Sequence, residues 1–176
     1  WNQGPLDTYE KFMASLRPTE TRPSLHFAHL LLPHSPWRYF PSSKTYAGPD
    51  ESLFGLDGNT GQWSADAWPV IQAQQRYLLQ AVYADRLLGG MVARLKDSGL
   101  YDRSLIVITA DHGVSFQPGL PNRQITAANY PEILYVPLFV KQPFQRAPAI
   151  SDRNVETVDI LPTIAAVLGI RIPWPV

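Results

Sequence analysis

The chain has 176 residues, with 15 basic residues balanced by 15 acidic ones and no cysteine. The even charge excludes the basic surface that nucleic-acid-binding proteins and proteins of anionic membrane surfaces carry. The absence of cysteine excludes a disulfide scaffold and a thiolate metal site. The length predicts one domain over residues 1–176, with a lead-in segment over residues 1–23 and burial of roughly 70% of the unfolded chain's surface.

The lead-in segment is predicted to contain a short helix over residues 5–16, followed by a polar linker over residues 17–24. Residues 25–32 are nearly continuously apolar, which predicts a buried strand that ends at Pro33. His29 lies inside this stretch, and we interpret it as a hydrogen-bonded core histidine.

A long loop rich in glycine, proline, serine and aromatic residues follows over residues 36–66. Loops of this length are uncommon in compact domains and are usually functional where they occur. Two interpretations stay open: a lid or substrate wall, and an insertion that packs on its own aromatic residues. Trp37, Tyr39 and Trp63 accordingly either line a lipid or sugar cleft or are buried within the loop.

The spacing of apolar residues predicts a long helix over residues 69–98, which begins near Pro69 and ends at Gly99. Gly89–Gly90 lies in its middle, where each glycine costs about 0.5–1 kcal/mol relative to alanine. Close packing against another backbone would explain that cost. The apolar stripe that we expect to face a sheet consists of Ile71, Leu78, Val82, Leu88, Met91, Val92 and Leu95.

The run from Ser104 to Gly113 is the most informative part of the sequence. Its apolar, β-branched residues predict a strand buried on both faces, and ligands collect beyond the carboxyl ends of such strands. Asp111 and His112 would offer a carboxylate oxygen and a neutral imidazole nitrogen to one divalent cation. Gly113 would allow a sharp turn or a close approach to a ligand. A pair that merely hydrogen-bonds the next loop is the alternative.

After a polar, proline-rich loop over residues 117–131, residues 133–140 predict another buried strand, which Pro137 restricts to an edge or a bulge. Asp159 is predicted to cap a last helix that ends at Gly169. The order strand, helix, strand, strand, helix predicts an α/β fold: a three-layer sandwich with a largely parallel sheet.

The run that ends in Asp111-His112-Gly113 resembles the Asp-His-Gly motif of the alkaline phosphatase superfamily, in particular of its sulfatase-like branch. That branch includes sulfatases and membrane-anchored phosphoglycerol and phosphoethanolamine transferases. The resemblance extends over residues 24–172 in the family's motif order, and it implies an alkaline-phosphatase-like fold that is incomplete at the N-terminus. The other segments that carry it are Leu30–Tyr39, Tyr83–Gly89, Leu95–Asp102, Val136–Lys141 and Thr157–Ile164.

The resemblance implies roles for individual residues. Asp111 and His112 are expected to bind a divalent metal cation: calcium, manganese or zinc. His34 is expected to be catalytic and to contact the sulfate or phosphate group. Arg123 and Lys141 are expected to bind the anionic substrate, unless they are ordinary surface cations. No segment matches the family's Ser, Thr or Cys nucleophile, so we expect the nucleophile upstream of this chain, which alone is expected to be inactive.

Three functions stay open: a metal-dependent, sulfatase-like hydrolase of sulfate or phosphate esters, an envelope transferase of phosphoglycerol or phosphoethanolamine type, and a non-catalytic envelope-binding domain. The expected partner is an anionic ester, lipid or glycan, and not nucleic acid. The sequence contains no apolar run of the roughly 18 residues that a membrane span requires, so membrane attachment is expected through segments outside this chain. The resemblance implies the extracytoplasmic face of a bacterial membrane.

Overall fold

The computed structural model describes residues 4–19, 23–47 and 55–173. Within these ranges lie four α-helices and two β-strands, and a single 3-10 turn over Thr157–Asp159 precedes the last helix. In chain order the elements are α1 (Pro5–Ser15), α2 (Ala67–Asp97), β1 (Ile106–Thr109), α3 (Tyr130–Leu134), β2 (Leu138–Lys141) and α4 (Ile160–Leu168). None of the helices in these ranges is long and apolar enough to cross a membrane.

Helix α2 confirms the predicted long helix, and both of its ends follow from local sequence. The Asp66 carboxylate accepts a hydrogen bond from the Trp68 N–H at 3.0 Å, which caps the N-terminus. At the other end Gly99 adopts a left-handed φ of 70°. Its N–H donates to the Lys96 carbonyl and the Leu100 N–H donates to the Leu95 carbonyl, which is the Schellman arrangement.

Helix α1, which confirms the predicted short helix, packs on the middle of α2. The Tyr9 hydroxyl donates to the Leu87 carbonyl at 2.9 Å. A Cβ on Gly90 would lie 2.7 Å from that hydroxyl oxygen, whereas a Cβ on Gly89 would meet nothing within 4 Å. Gly90 is therefore explained by a close side chain rather than by a neighbouring backbone.

The two strands pair antiparallel, with Ile106 opposite Lys141 and Thr109 opposite Leu138. The α/β class of the fold is supported, but the largely parallel three-layer sandwich is not confirmed. Within the described ranges the sheet has two strands, and they run antiparallel. The prediction that these strands are buried is wrong: no residue of β1 or β2 is buried, and Phe139 and Val140 are exposed. A continuous apolar run also does not specify the direction of the neighbouring strand.

The prediction of a strand over residues 133–140 is wrong for the first half of that range. Residues 130–134 form α3, with a proline in the first turn, and β2 begins only after Pro137. Proline lacks the N–H that a sheet ladder needs, so it separates the two elements.

The last helix does end at Gly169, which has a left-handed φ of 66°. Asp159 lies at its N-terminus, but its carboxylate accepts from the Glu156 N–H and does not cap α4.

Residues 25–32 do not form the predicted buried strand. The segment is not paired with any described strand. Leu25 and Phe27 are 83% and 84% exposed. The His29 side chain is also exposed, so its interpretation as a core histidine is wrong. An extended segment becomes a buried strand only when a neighbour bonds its N–H and carbonyl groups and covers its side chains.

The core lies where the long loop meets α2. Trp37 and Trp63 are buried together with Val70 and Ala73, and partly buried Leu56, Tyr77, Val114 and Phe116 pack around them. The Trp63 indole N–H donates to the Ser115 carbonyl at 2.7 Å. Tyr39 packs against Tyr83 with ring centroids 5.3 Å apart. These aromatic residues favour the interpretation that the loop packs on its own side chains; residues 48–54 of the loop lie outside the described residues.

The face of α2 that packs against this core differs from the predicted face. Leu95 is buried as expected, but Ile71, Leu78 and Val82 are exposed. The face that packs inward carries Val70, Ala73, Gln80 and Tyr83. The apolar pattern identified the helix, and the aromatic loop determined which side of it is covered.

Candidate active site

The Asp-His-Gly turn lies directly after β1 and is fixed by a close contact with α3. The Gly113 N–H donates to the Ile133 carbonyl at 2.7 Å. A Cβ on Gly113 would lie 2.0 Å from the Glu132 carbonyl oxygen. Glycine is therefore required here by another segment of backbone, and the turn cannot approach α3 this closely with any other residue.

The imidazole of His112 is held in one tautomer. Its Nδ1 lies 2.8 Å from the Gly113 carbonyl oxygen, which only accepts, so Nδ1 carries the proton. Its Nε2 lies 2.5 Å from an Nη of Arg123, which only donates, so Nε2 presents its lone pair. A neutral imidazole with a proton fixed on Nδ1 by a backbone carbonyl is the arrangement that metal-binding histidines use.

The Asp111 carboxylate lies beside this imidazole. One oxygen, Oδ1, accepts from the His112 N–H at 2.9 Å, and the other, Oδ2, lies 3.6 Å from His112 Nε2. Burial acts to raise the pKa of Asp111, but the hydrogen bond from the His112 N–H contributes to a net lowering of the pKa. Asp111 therefore carries its negative charge at neutral pH.

These two donor atoms fit neighbouring positions around one metal ion. Two ligand atoms held about 2.1 Å from a tetrahedral zinc ion lie about 3.4 Å apart, close to the separation of Asp111 Oδ2 and His112 Nε2. Among the described residues no group of three or more His, Asp or Glu side chains is placed to hold a metal. The described chain thus supplies a fitting pair of donors and not a closed ligand set.

Asn129 organises the loop that carries Arg123, and sequence reasoning missed it. It is fully buried. Its Nδ2 donates to the carbonyls of Pro121 and Gln124 at 3.0 and 3.1 Å, and its Oδ1 accepts from the Thr126 N–H at 2.7 Å. The available signal is the Asn-Tyr-Pro-Glu run, in which asparagine precedes a proline and an acidic residue as at a helix start.

Glu132 of α3 was also missed, and it joins α3 to the chain that follows Gly113. Its carboxylate accepts from the Phe116 N–H at 3.2 Å and from the Gln117 amide at 2.7 Å. Burial acts to raise the pKa of Glu132, but these hydrogen bonds contribute to a net lowering. The ionised form therefore holds this contact at neutral pH.

His34 is placed in a separate, partly fixed segment. Its exposed imidazole lies with Nδ1 2.5 Å from the Ser35 carbonyl, and its own carbonyl accepts from the Gln80 amide at 2.7 Å. The Gln80 side chain is buried and also accepts from the N–H groups of Arg38 and Tyr39. The hydrogen bonds of the described residues do not join His34 to the Asp111–His112 pair. Gln80 gave no signal in the sequence.

Lys141 is placed away from the Asp-His-Gly turn. It lies opposite Ile106, at the beginning of β1, whereas Asp111 follows the end of β1. At about 3.3 Å per residue, Ile106 and Thr109 are roughly 10 Å apart along β1, and Asp111 lies two residues beyond Thr109. The Lys141 ammonium donates to the carbonyls of Tyr101, Asp102 and Ser104, so the structure gives it local contacts at the far end of the sheet. Of the predicted cations, Arg123 is the one brought to His112.

Comparison with known proteins was made against this geometry. The model of the Sulfatase family matches residues 6–170. The chain belongs to the sulfatase family. This confirms the resemblance drawn from the ordered motifs, and proteins of the sulfatase family are generally metal-dependent.

Individual sulfatase-family relatives match about half of the chain. Arylsulfatase K of Xenopus laevis is 31% identical over 98 residues, which are 55% of this chain and 18% of the relative. The lipoteichoic acid synthase-like YvgJ of Bacillus subtilis is 31% identical over 110 residues, or 54% of this chain and 17% of the relative. Lipoteichoic acid synthase of Staphylococcus aureus is 30% identical over 118 residues, or 64% and 17%. The chain thus spans less than a fifth of the length of these relatives.

Proposed function

We propose that this chain is part of a metal-dependent, sulfatase-like catalytic domain that cleaves sulfate or phosphate esters, with Asp111 and His112 as two ligands of the metal. The observation that carries the proposal is the convergence of Asp111 Oδ2 and His112 Nε2 at 3.6 Å, with His112 Nδ1 held by the Gly113 carbonyl. The contact of Nε2 with Arg123 also fits the alternative of a pair that hydrogen-bonds the next loop, and the Asp111→Asn variant described below separates the two.

A bound divalent cation would neutralise charge on the transferred group and lower the pKa of an oxygen nucleophile. Calcium, manganese and zinc all accept a carboxylate oxygen; an oxygen-rich site would suit calcium and manganese, whereas the imidazole permits zinc. Asp111 and His112 would hold the cation, and the ionised Asp111 would offset part of its charge. The remaining ligands and the nucleophile would come from outside this chain, so we propose that the chain alone is inactive.

Two other residues are proposed to act on the substrate. The Arg123 guanidinium would bind an anionic ester oxygen, since it lies against His112 and presents donors in a fork that fits sulfate and phosphate. His34 would donate a hydrogen bond to the same anionic group, which requires its segment to lie near the turn in the complete domain. Lys141 gains no support for such a role from its position.

A transferase is the second candidate, because two of the matched relatives are named as lipoteichoic acid synthases or as similar to one. In that case a phosphoglycerol or phosphoethanolamine group would pass to an alcohol of a lipid or glycan, and not to water. In that case the domain would lie on the extracytoplasmic face of a bacterial membrane and would be attached through segments outside this chain.

The test is the Asp111→Asn variant of the protein that carries this chain. We expect it to lose metal-dependent turnover of an aryl sulfate or a phosphate diester while its circular dichroism stays unchanged. Asp85→Asn, which changes an exposed carboxylate on α2, is the matched control and should keep full activity. Adding glycerol to the assay separates the candidates, because a transferase forms the glycerol adduct in preference to the hydrolysis product.

Unchanged turnover in Asp111→Asn would remove Asp111 from the mechanism. If the metal-supplied protein with an intact Asp111 turns over neither ester, with or without glycerol, the non-catalytic envelope-binding domain becomes the better account.

A further inference from the structure

We propose that Arg123 is a cation latch on the metal site: its guanidinium occupies His112 Nε2 in the metal-free protein and leaves when a divalent cation binds that atom. The proposal rests on the proposed role of His112 as a metal ligand. It adds that the metal site has an internal competitor, and that binding the metal moves a specific side chain.

The competition follows from the number of lone pairs. With its proton on Nδ1, the neutral imidazole has one lone pair, on Nε2, and the structure shows it accepting from Arg123 at 2.5 Å. The same lone pair cannot also bind a metal ion. A guanidinium left in place would also repel a divalent cation at close range, in the neighbourhood of the Asp111 carboxylate that attracts both.

The backbone around Arg123 is fixed, so the movement belongs to the side chain. The Asn122 carbonyl accepts from the Ser115 N–H and the Asn122 N–H donates to the Gly61 carbonyl, both at 2.8 Å. On the other side, Asn129 holds the carbonyls of Pro121 and Gln124. Arg123 itself is exposed. The latch therefore opens by rotation of one long side chain on a rigid support, and the released guanidinium stays next to the site.

The experiment is a zinc titration of the protein that carries this chain, labelled with ¹⁵N in its histidines and followed by the ring-nitrogen chemical shifts. His112→Gln identifies the His112 signals among those of the other histidines. In the metal-free wild type we expect the Nδ1–H tautomer with Nε2 hydrogen-bonded. In Arg123→Gln we expect the Nε2 signal to move toward the position of a free lone pair while Nδ1 keeps its proton.

The zinc affinity at His112 is then compared between variants. We expect Arg123→Gln to bind zinc roughly tenfold more tightly, because it removes a unit charge next to a divalent ion. Arg123→Lys, which keeps the charge, should bind like the wild type or only slightly more tightly. Arg146→Gln, which removes an exposed arginine from another loop, should match the wild type.

Three results would overturn the latch. Identical Nε2 shifts in metal-free wild type and Arg123→Gln would show that the contact is not formed. Equal zinc affinity of these two variants at His112 would remove the competition and leave His112 as a metal ligand. No zinc response at His112 in any variant would remove the ligand role of His112 together with the latch.

Discussion

Two segments of this protein have the same sequence pattern, an apolar run that ends in a histidine, and they take different structures. Residues 106–109 pair with β2, and His112, three residues further on, has a partner at both ring nitrogens. Residues 25–34 stay unpaired with any described strand, and Leu25, Phe27, Leu31 and His34 are exposed. The two segments have similar amino-acid compositions, so their different structures come from the elements around them. Strand β2, helix α3 and the loop organised by Asn129 surround His112, and they do not surround His34.

The comparison shows what fixes the geometry of a candidate site. The Gln80 amide holds the backbone at His34, Arg38 and Tyr39, whereas the His34 imidazole is exposed and its Nδ1 contacts the carbonyl of the neighbouring Ser35. Around His112 the side chain itself is fixed, because the turn at Gly113 packs against the backbone of α3. The His112 ring thus has a contact at both ring nitrogens, whereas the structure gives a contact for one ring nitrogen of His34.

The largest effect on stability is expected from Gly113→Ala, which disrupts the packing of the Asp-His-Gly turn against the backbone of α3. The new Cβ would lie 2.0 Å from the Glu132 carbonyl oxygen, so the turn and α3 must separate. We expect a loss of about 3 kcal/mol in the free energy of unfolding, measured by urea denaturation. The control is Gly89→Ala, where the added Cβ meets no atom within 4 Å. That change should stabilise α2 by about 0.5–1 kcal/mol. A neutral Gly113→Ala would contradict the close packing of the turn.

Asn129→Ala is expected to have the next largest effect. It removes the donors for two carbonyls and the acceptor for the Thr126 N–H inside a fully buried site. We expect a loss of about 2–3 kcal/mol in unfolding free energy. Asn129→Asp, which retains the acceptor and lacks the donors, should lose stability as well, while Asn59→Ala in an exposed turn should change it by less than about 0.5 kcal/mol. Equal stability of Asn129→Ala and Asn59→Ala would show that the Arg123 loop does not depend on Asn129.

A smaller effect is expected from Glu132 as the pH is lowered. Its pKa is lowered in the folded protein, so its contribution is complete above the unfolded value near 4.3 and is lost as the pH falls through the folded pKa. Because solvent screens this exposed carboxylate, we expect Glu132→Gln to differ from the wild type by only about 0.5 kcal/mol, with a smaller loss of stability below about pH 4. Urea midpoints measured from pH 3 to 7 test this, with Glu10→Gln of α1 as the control. A wild type and a Glu132→Gln variant with parallel pH profiles would contradict it.

The smallest effect is expected in the open segment. Phe27 is 84% exposed, so Phe27→Ser should change the unfolding free energy by no more than about 0.5 kcal/mol. Phe116→Ser, in the aromatic core beside the candidate site, should cost about 2 kcal/mol. Thermal unfolding of the two variants compares them directly. A large loss in Phe27→Ser would mean that residues 25–32 are covered after all, and the contrast between the two segments would fail.

Sequence reasoning succeeded where structure is decided locally. The apolar spacing and the glycine after Ser98 identified α2, and the glycine after Leu168 identified the end of α4. The Asp-His-Gly run and its motif order identified the family. Each of these features depends on residues a few positions apart in the chain.

It failed where the outcome depends on distant partners. No local sequence feature indicated that residues 25–32 are unpaired in this structure. Nor did one indicate that β1 and β2 run antiparallel, which places Lys141 at the far end of the sheet from Asp111. Arg123 was one polar residue in a loop, and its contact with His112 depends on the buried Asn129. The side chains that complete a site are chosen by tertiary packing, which single-residue patterns do not report.

The indole of Trp63 gives the protein an optical signal at the candidate site. Its N–H binds the Ser115 carbonyl, two residues beyond the Asp-His-Gly turn, and its ring is stacked on that of Trp37 with centroids 6.4 Å apart and planes at 22°. Two coupled indoles in a rigid pair produce a characteristic band in near-ultraviolet circular dichroism. Because Trp63 bonds the segment that follows the turn, we expect a displacement of the turn to change the near-ultraviolet circular dichroism of the unlabelled wild-type protein.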